Sequence, residues 1–413
     1  MICIQENGGG THRYVAERCI DDATLNLLLQ ERLDKRKPGA TVVPIILSSD
    51  KTQVTVFRNK SAYPIYLTIG NIPKEIRRKP SQRAYILLGY LPTTRLSHIT
   101  NQAARRRCIA NLFHAAVNHI TAPLQAPGAK GMIIPTGDGT HYRAHPIFAV
   151  YIGDYPEQVL VTCSITGDCP VCTIHRDSVG ADTDPLPLRN LTSILNIFSM
   201  VDTSIDNFLQ GCADLRIKPV FNPFWEHLSY SNVFHSITPD ILHQLYQGVF
   251  KHLAAWVTDA YGAAEIDARC RRIPPNHNIR GFFKGISSFS RVTGQEHDQI
   301  SRFFLSLIAD CPLPDGFSPK RLVQAVRGLI NFLFIAQYPV HSTSTLRRLR
   351  ASLELFHANK DVFIDLEIRS NFKIPKLHFL NHYIDRIEYF GSLDNFNTEN
   401  TERLHIDLAK DAY

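Results

Sequence analysis

Two short strings, far apart in the chain, limit its fold more than any other feature. DCPVC, Asp168 to Cys172, carries two cysteines around a valine and a proline, and HFLNH, His378 to His382, carries two histidines four positions apart. A Cys-x-x-Cys pair gives two thiolates to one zinc ion, and a tetrahedral structural site then needs two more nitrogen or sulfur ligands. Histidines at i and i+4 share one face of a helix and reach a single ion together. Cys169, Cys172, His378 and His382 are therefore expected to close one structural Zn2+ site, which makes the chain fold back across the whole stretch between them. Cys163 and His175 are reserve ligands. The remaining cysteines lack the dense, even spacing of a small disulfide-stapled fold and read mostly as reduced, buried apolar residues.

The chain has 413 residues, 44% of them hydrophobic, enough for a large core in two or three domains. No stretch approaches the roughly 18 to 20 uninterrupted apolar residues that cross a bilayer, and the polar, glycine-rich start has no signal-peptide core. A soluble intracellular protein without a membrane partner is expected. TVVPIILSSD (41–50) reads as a buried strand ending on Asp50. KTQVTVF (51–57) and YPIYLTIG (63–70) read as the next two strands of a meander. From about Arg95 to Ala122 the apolar residues recur three and four apart, as in an amphipathic helix. PIFAVYIGD (146–154) is another buried strand with an acid, Asp154, at its tip, and PEQVLVTCS follows as a short helix or strand. From about Pro185 to Asn371 the pattern changes to long amphipathic helices broken by proline loops. IPKLHFLNHYIDRIEYFG (374–391) reads as a helix stopped by glycine. A further helix bearing Glu402 then runs to the last residue with no stop signal, so the chain reads as cut from something longer.

Asp50 and Asp154 each end an apolar strand. With a meander, a helix and a strand in that order, the first and fourth strands lie side by side and bring the two carboxylates to one sheet edge. Paired carboxylates repel unless cations lie between them, as in a two-metal phosphoryl-transfer site holding Mg2+ or Mn2+. Taken singly, an Asp at a strand end more often serves local backbone hydrogen bonding. Glu402, beyond the histidine pair, is the acid that a zinc clamp would deliver to the other two. The net charge of +7 is uneven: residues 71–107 hold nine basic residues and one acid, Glu75. That segment favours a polyanionic partner.

The order Asp, Asp, Cys-x-x-Cys, helical stretch, His-x-x-x-His, Glu resembles the catalytic core of cut-and-paste DDE transposases, especially the CACTA group and Transib-like recombinases. The strings SSDKTQVTVF, YLTIGNIPKEIRRKP, HPIFAVYIGDYPEQVLVTC, SITPDILHQLYQGV and LDNFNTENTERLHIDLAKDAY are similar to Plavaka-type transposases of basidiomycete fungi, over about residues 40–413. The resemblance implies an α/β fold, an RNase H-like mixed sheet with flanking helices, interrupted by a large all-α insertion domain. It divides the chain into a leader (1–38), a first part of the core with the CxxC knuckle (39–184), the insertion (185–371) and closing helices (372–413). It implies catalytic Asp50, Asp154 and Glu402, with Glu399 as the alternative third acid and Asp138 and Asp240 as weaker rivals for the second. Asp240 is also read as a helix-start acid, with His243 packing or touching DNA. Lys74, Arg77, Arg78, Lys79, Arg105, Arg106 and Arg107 would contact the phosphates of element-end and target DNA in the nucleus, and a homodimer is one assembly compatible with this. Trp225 is read as core, with base stacking the minor alternative. The implied activity is Mg2+-dependent DNA cleavage and strand transfer by a truncated transposase. The alternative is a catalytically inactive, transposon-derived DNA-binding protein, because the resemblance also implies terminal-repeat-binding and C-terminal parts that this chain lacks.

Overall fold

The computed structural model describes residues 2–6, 14–18, 20–21, 23–55, 60–181, 187–289, 292–406 and 408. Its centre is a five-stranded mixed sheet built from β1 (Thr41–Ser49), β2 (Pro64–Ile69), β3 (Ile86–Tyr90), β4 (Met132–Pro135) and β5 (His141–Ile152), in the order β3-β2-β1-β5-β4. Strand β1 runs antiparallel to β2 and parallel to β5, while β2–β3 and β4–β5 are antiparallel pairs.

Alternation along β1 sends its side chains to two buried faces, as expected of a strand in the middle of a sheet. Val42 and Ile46 join Ile147, Val150 and Ile152 of β5 on one face, under Leu25, Leu29 and Leu33 of helix α1 (Thr24–Asp34) and under Phe390 and Phe396. Ile45 and Leu47 join Phe148 and Tyr151 on the other face, against Phe113 and Val117 of helix α2 (Gln102–Thr121). The β1–β5 register slips once: Ile45 faces Phe148 and Ile46 faces Val150, so Ala149 is an extra residue on β5. A bulge of this kind resets which side chains point to which face. Beyond it Ser48 lies opposite Ile152, so the two strands leave the sheet side by side, at Asp50 and at Asp154.

The observed meander differs from the expected one. Thr52–Gln53 pairs only with Ser61–Ala62 in a small hairpin off the sheet, and residues 56 and 57 of the expected strand lie outside the described residues. The third strand is instead Ile86–Tyr90. Helix α2 starts seven residues later than expected, where the Asn101 side chain accepts a hydrogen bond from the Ala104 N–H and caps it. The expected leader also contributes to the sheet, since α1 covers one of its faces.

After β5 comes helix α3 (Tyr155–Val161), capped by the Asp154 side chain. Among the described residues every named element after β5 is helical, while a separate hairpin near the start pairs Ile2–Glu6 with Tyr14–Arg18. They include a π-helical segment, Ile241–Phe250, and an antiparallel pair, α4 (Pro319–Ala336) and α5 (Thr343–Asn359). The expected 374–391 helix is present as two α-helical pieces, Pro375–His378 and α6 (Tyr383–Phe390), joined by a 3-10 turn, Phe379–His382. Gly391 follows at φ 88°, a left-handed conformation that favours glycine. Helix α7 (Thr398–His405) carries Glu402, and residues 407 and 409–413 of its expected continuation lie outside the described residues. Trp225 is core: its indole N–H donates to the Val161 carbonyl at 2.7 Å and its ring packs on Phe198 and Phe234.

Helices α4 and α5 pack closely at Gly328. A Cβ there would lie 2.7 Å from the Phe356 nitrogen and 2.8 Å from the Ser352 carbonyl oxygen, both backbone atoms that cannot move aside separately. Gly328→Ala is expected to lower unfolding free energy by about 1–3 kcal/mol through overpacking, measured as a shift in urea midpoint at constant slope.

Candidate active site and metal centre

The knuckle is held from behind by buried charge. Asp168 accepts hydrogen bonds from Arg216 at 2.8 and 2.6 Å, and Arg189 donates to the Cys169 carbonyl at 3.2 and 3.1 Å. Tyr155 of α3 donates to the Asp168 carbonyl at 3.0 Å, which ties the knuckle to the tip of β5. Against this rigid turn, the 375–382 segment presents both histidines. Cys169 Sγ lies 3.5 Å from His382 Nε2 and Cys172 Sγ lies 3.3 Å from His378 Nε2, across sequence separations of 213 and 206 residues. All four side chains are buried, and their donor atoms lie within 4.8 Å of one another.

Zinc bonds of about 2.3 Å to sulfur and 2.0–2.1 Å to nitrogen give a tetrahedron whose S···N edges are about 3.5 Å. The two observed separations match that edge, so the donor set fits zinc. Burial works against ionising Cys169, yet hydrogen bonding from Cys172, the field of His382 and hydrogen bonds from both histidines hold it well below its ordinary value. Cys172, which donates to Cys169 and is itself buried, is pushed up. The reserve ligands stand apart: Cys163 lies 3.4 Å from His114, and His175 is exposed beside Asp177.

The clamp segment leads directly to the acids. Lys376 donates to the His243 carbonyl at 2.9 Å, and the Tyr383 hydroxyl donates to Gln244 at 3.2 Å. Gln244 continues to Gln158, which donates to the Gly153 carbonyl at the tip of β5 at 2.9 Å. Helix α7 lies on the end of β1: Ser48 and Thr401 share a hydroxyl contact at 3.2 Å, and His405 Nδ1 stands 3.9 Å from Asp50. One turn before His405, Glu402 reaches His243 Nε2 at 3.0 Å. His243 Nδ1 lies 2.9 Å from buried Asp240, whose other oxygen accepts from the Thr398 hydroxyl at 2.9 Å.

His243 is thus held between Asp240 and Glu402, and Asp50 lies within electrostatic reach of His243, Asp154 and Glu402. Burial first, and then the negative charges of Asp154 and Glu402, raise the Asp50 carboxyl to about 6, while His243 acts in the opposite sense. Burial opposes a charged His243, but hydrogen bonds and charges from Asp240 and Glu402 raise it to about 10, so it is an imidazolium at neutral pH. The three acids are spread more widely than the zinc donors; among the described residues the Cys/His set is the group gathered within 4.8 Å. Glu399 is exposed and pairs with Arg403 at 3.6 Å. Asp138 sits in the exposed β4–β5 turn, held by Thr136 and Thr140.

Two site residues carried only a weak sequence signal. His243 is visible as the Asp-x-x-His of ITPDILH, where the acid starts a helix and the histidine falls one turn on. Glu157, one turn after Asp154, is fully buried behind the acids. It accepts hydrogen bonds from Ser49 and, at 2.6 Å, from Tyr63, and burial above all raises it to about 8. Two expected DNA contacts need correction. Lys74 is buried against Ser392 and Asp394 at 3.2 and 2.9 Å, and Arg77 donates to the Ile72 carbonyl and to Asn395 at 2.9 and 2.6 Å. Both hold the 392–396 turn in place. Arg78, Lys79, Arg106 and Arg107 are exposed, and Arg105 is half-buried.

A family model described as Plavaka transposase matches residues 13–257, more than half of the chain. The matched span includes Asp50, Asp154, the cysteine pair and His243. No curated protein matches. Metal analysis of the purified chain is expected to find about one zinc per molecule. Cys172→Ser is expected to lose the ion and lower the thermal midpoint by several degrees; full metal retention by the variant would contradict the ligand set.

Proposed function

The chain belongs to the Plavaka transposase family, and on that premise we propose that it is a DDE transposase catalytic core, cleaving and joining DNA at Asp50, Asp154 and Glu402. The observation that carries this reading is the meeting of two parallel strand tips with a helix that returns from the far end of the sequence. The β1–β2–β3 meander, helix α2 and the parallel strand β5 support an RNase H-like core formed by residues 39–184 and 372–413, with 185–371 as a helical insertion. The site of action is the nucleus, where the DNA substrate is.

The donor chemistry suits a hard divalent cation, since carboxylate oxygens are what Mg2+ or Mn2+ takes. Bound there, Mg2+ would polarise the scissile phosphate and lower the pKa of attacking water. The chain's own residues position the reaction. Asp154 is fixed by accepting the Glu157 N–H at 3.0 Å, and Glu402 is oriented by His243. Held between Asp240 and Glu402, His243 fixes the Glu402 carboxylate. Water attacks phosphorus at the element end and breaks the bond to the 3′ oxygen, which leaves as a hydroxyl. That hydroxyl then attacks a target phosphodiester in line, giving up its proton as the bond to the target strand's 3′ oxygen breaks and that oxygen leaves as a hydroxyl. Arg78, Lys79, Arg105, Arg106 and Arg107 would hold the backbone without reading sequence.

In a Mn2+-supported nicking assay, Asp154→Asn and Glu402→Gln are expected to lose at least about 10²–10³-fold in rate with unchanged DNA retention, whereas Glu399→Gln keeps most of it. Parent chain that binds DNA but nicks at no divalent-metal concentration would favour an inactive DNA-binding descendant of the family.

A further inference from the structure

The helical half of the chain holds a basic cluster that the charge balance of the sequence hides. Helix α5 carries Arg347, Arg348 and Arg350 within one turn, and Arg327 of α4 lines the same groove as Arg348. Arg321 on the same pair of helices meets Asp365 at 2.6 Å, but among the described residues none of these four arginines has an acidic partner. Three of the four, Arg327, Arg347 and Arg348, are exposed. Close approach at Gly328 draws the two helices together, and on their outer side a groove of about 630 Å3 opens between them. Arg327 and Arg348 stand on its two walls with Asn331 and Tyr338, over Phe334 and Leu355.

We propose that this α4–α5 groove is a second DNA-contact surface, taking the phosphodiester backbone of duplex DNA between Arg327 and Arg348. Charge complementarity selects the occupant. Guanidinium groups without acidic partners, spaced along one groove, suit a row of phosphates, and Asn331 and Tyr338 add neutral donors to phosphate oxygens. The surface is also connected to the acids. The Tyr246 hydroxyl donates to Gln337, the residue before Tyr338, at 3.1 Å, and Tyr246 lies on the same 241–250 helix as His243. Duplex held in the groove is thus one helix away from the carboxylates. The inference rests on the transposase reading for its ligand class, but it concerns affinity rather than chemistry.

The test is fluorescence anisotropy with a random-sequence duplex over a salt series. It compares the full-length parent, Arg327→Ala/Arg348→Ala, Arg327→Lys/Arg348→Lys and Arg106→Ala/Arg107→Ala. Each lost phosphate contact lowers the slope of log K against log salt by about 0.9. The alanine pair is expected to lower the slope by about 2 and weaken binding at least tenfold, with an unchanged thermal midpoint. The lysine pair is expected to retain most of the binding, since charge is kept. Parent-like slope and affinity in the alanine pair, with weakened Arg106/Arg107 variant binding, would overturn the groove alone. Weakened binding to an acidic peptide but not to duplex would also overturn it, in favour of a protein ligand. No duplex binding by the parent would overturn both this inference and the transposase reading.

Discussion

The meeting of Cys169 and Cys172 with His378 and His382 is the constraint on which the rest of the molecule depends. Local structure on either side of it is ordinary: a proline turn braced by arginines, and a short helical run. What it achieves is long-range, since it joins segments more than 200 residues apart. Closing a loop that long has a large entropic cost, and a tight metal site is one of the few small devices able to offset it. Once the 375–382 segment is fixed, Lys376 and Tyr383 tie it to the 241–250 helix, and α6 leads through the 392–396 turn to α7. The position of Glu402 follows from those attachments.

At the other end of this chain of contacts, electrostatics determines how the acids are tolerated. Asp50, Asp154 and Glu402 lie at a partly buried sheet edge, where burial first and then like charges raise the Asp50 carboxyl to about 6. One imidazolium, held charged by Asp240, offsets part of that repulsion. A site short of positive charge suits the divalent cation proposed for it. The basic surfaces, on residues 71–107 and in the α4–α5 groove, lie outside this centre, where we propose that they meet the DNA backbone.

How much of this was legible in the sequence depends on the range of the signal. The cysteine and histidine pairs were legible because ligand spacing is local, and pairing them required only one ion. The ends of β1 and β5 were legible because uninterrupted apolar runs stop at Asp50 and Asp154. Strand β3 was missed: ILLGY is half-exposed and sits inside a basic segment that reads as a nucleic-acid surface. The exposed β4 hairpin gave no burial pattern to detect. Lys74 and Arg77 were misread because a basic side chain's direction is set by tertiary partners, here Asp394 and Asn395, some 320 residues away. His243 stayed ambiguous for the same reason, as its role depends on Glu402 arriving from a distant helix.

The most direct measurement of the central claim is anomalous X-ray scattering from crystals of the full chain soaked in Mn2+, recorded at the zinc and manganese edges. Zinc is expected among Cys169, Cys172, His378 and His382, and manganese among Asp50, Asp154 and Glu402. Manganese bound elsewhere, or a Cys/His cluster with no zinc signal, would contradict that claim.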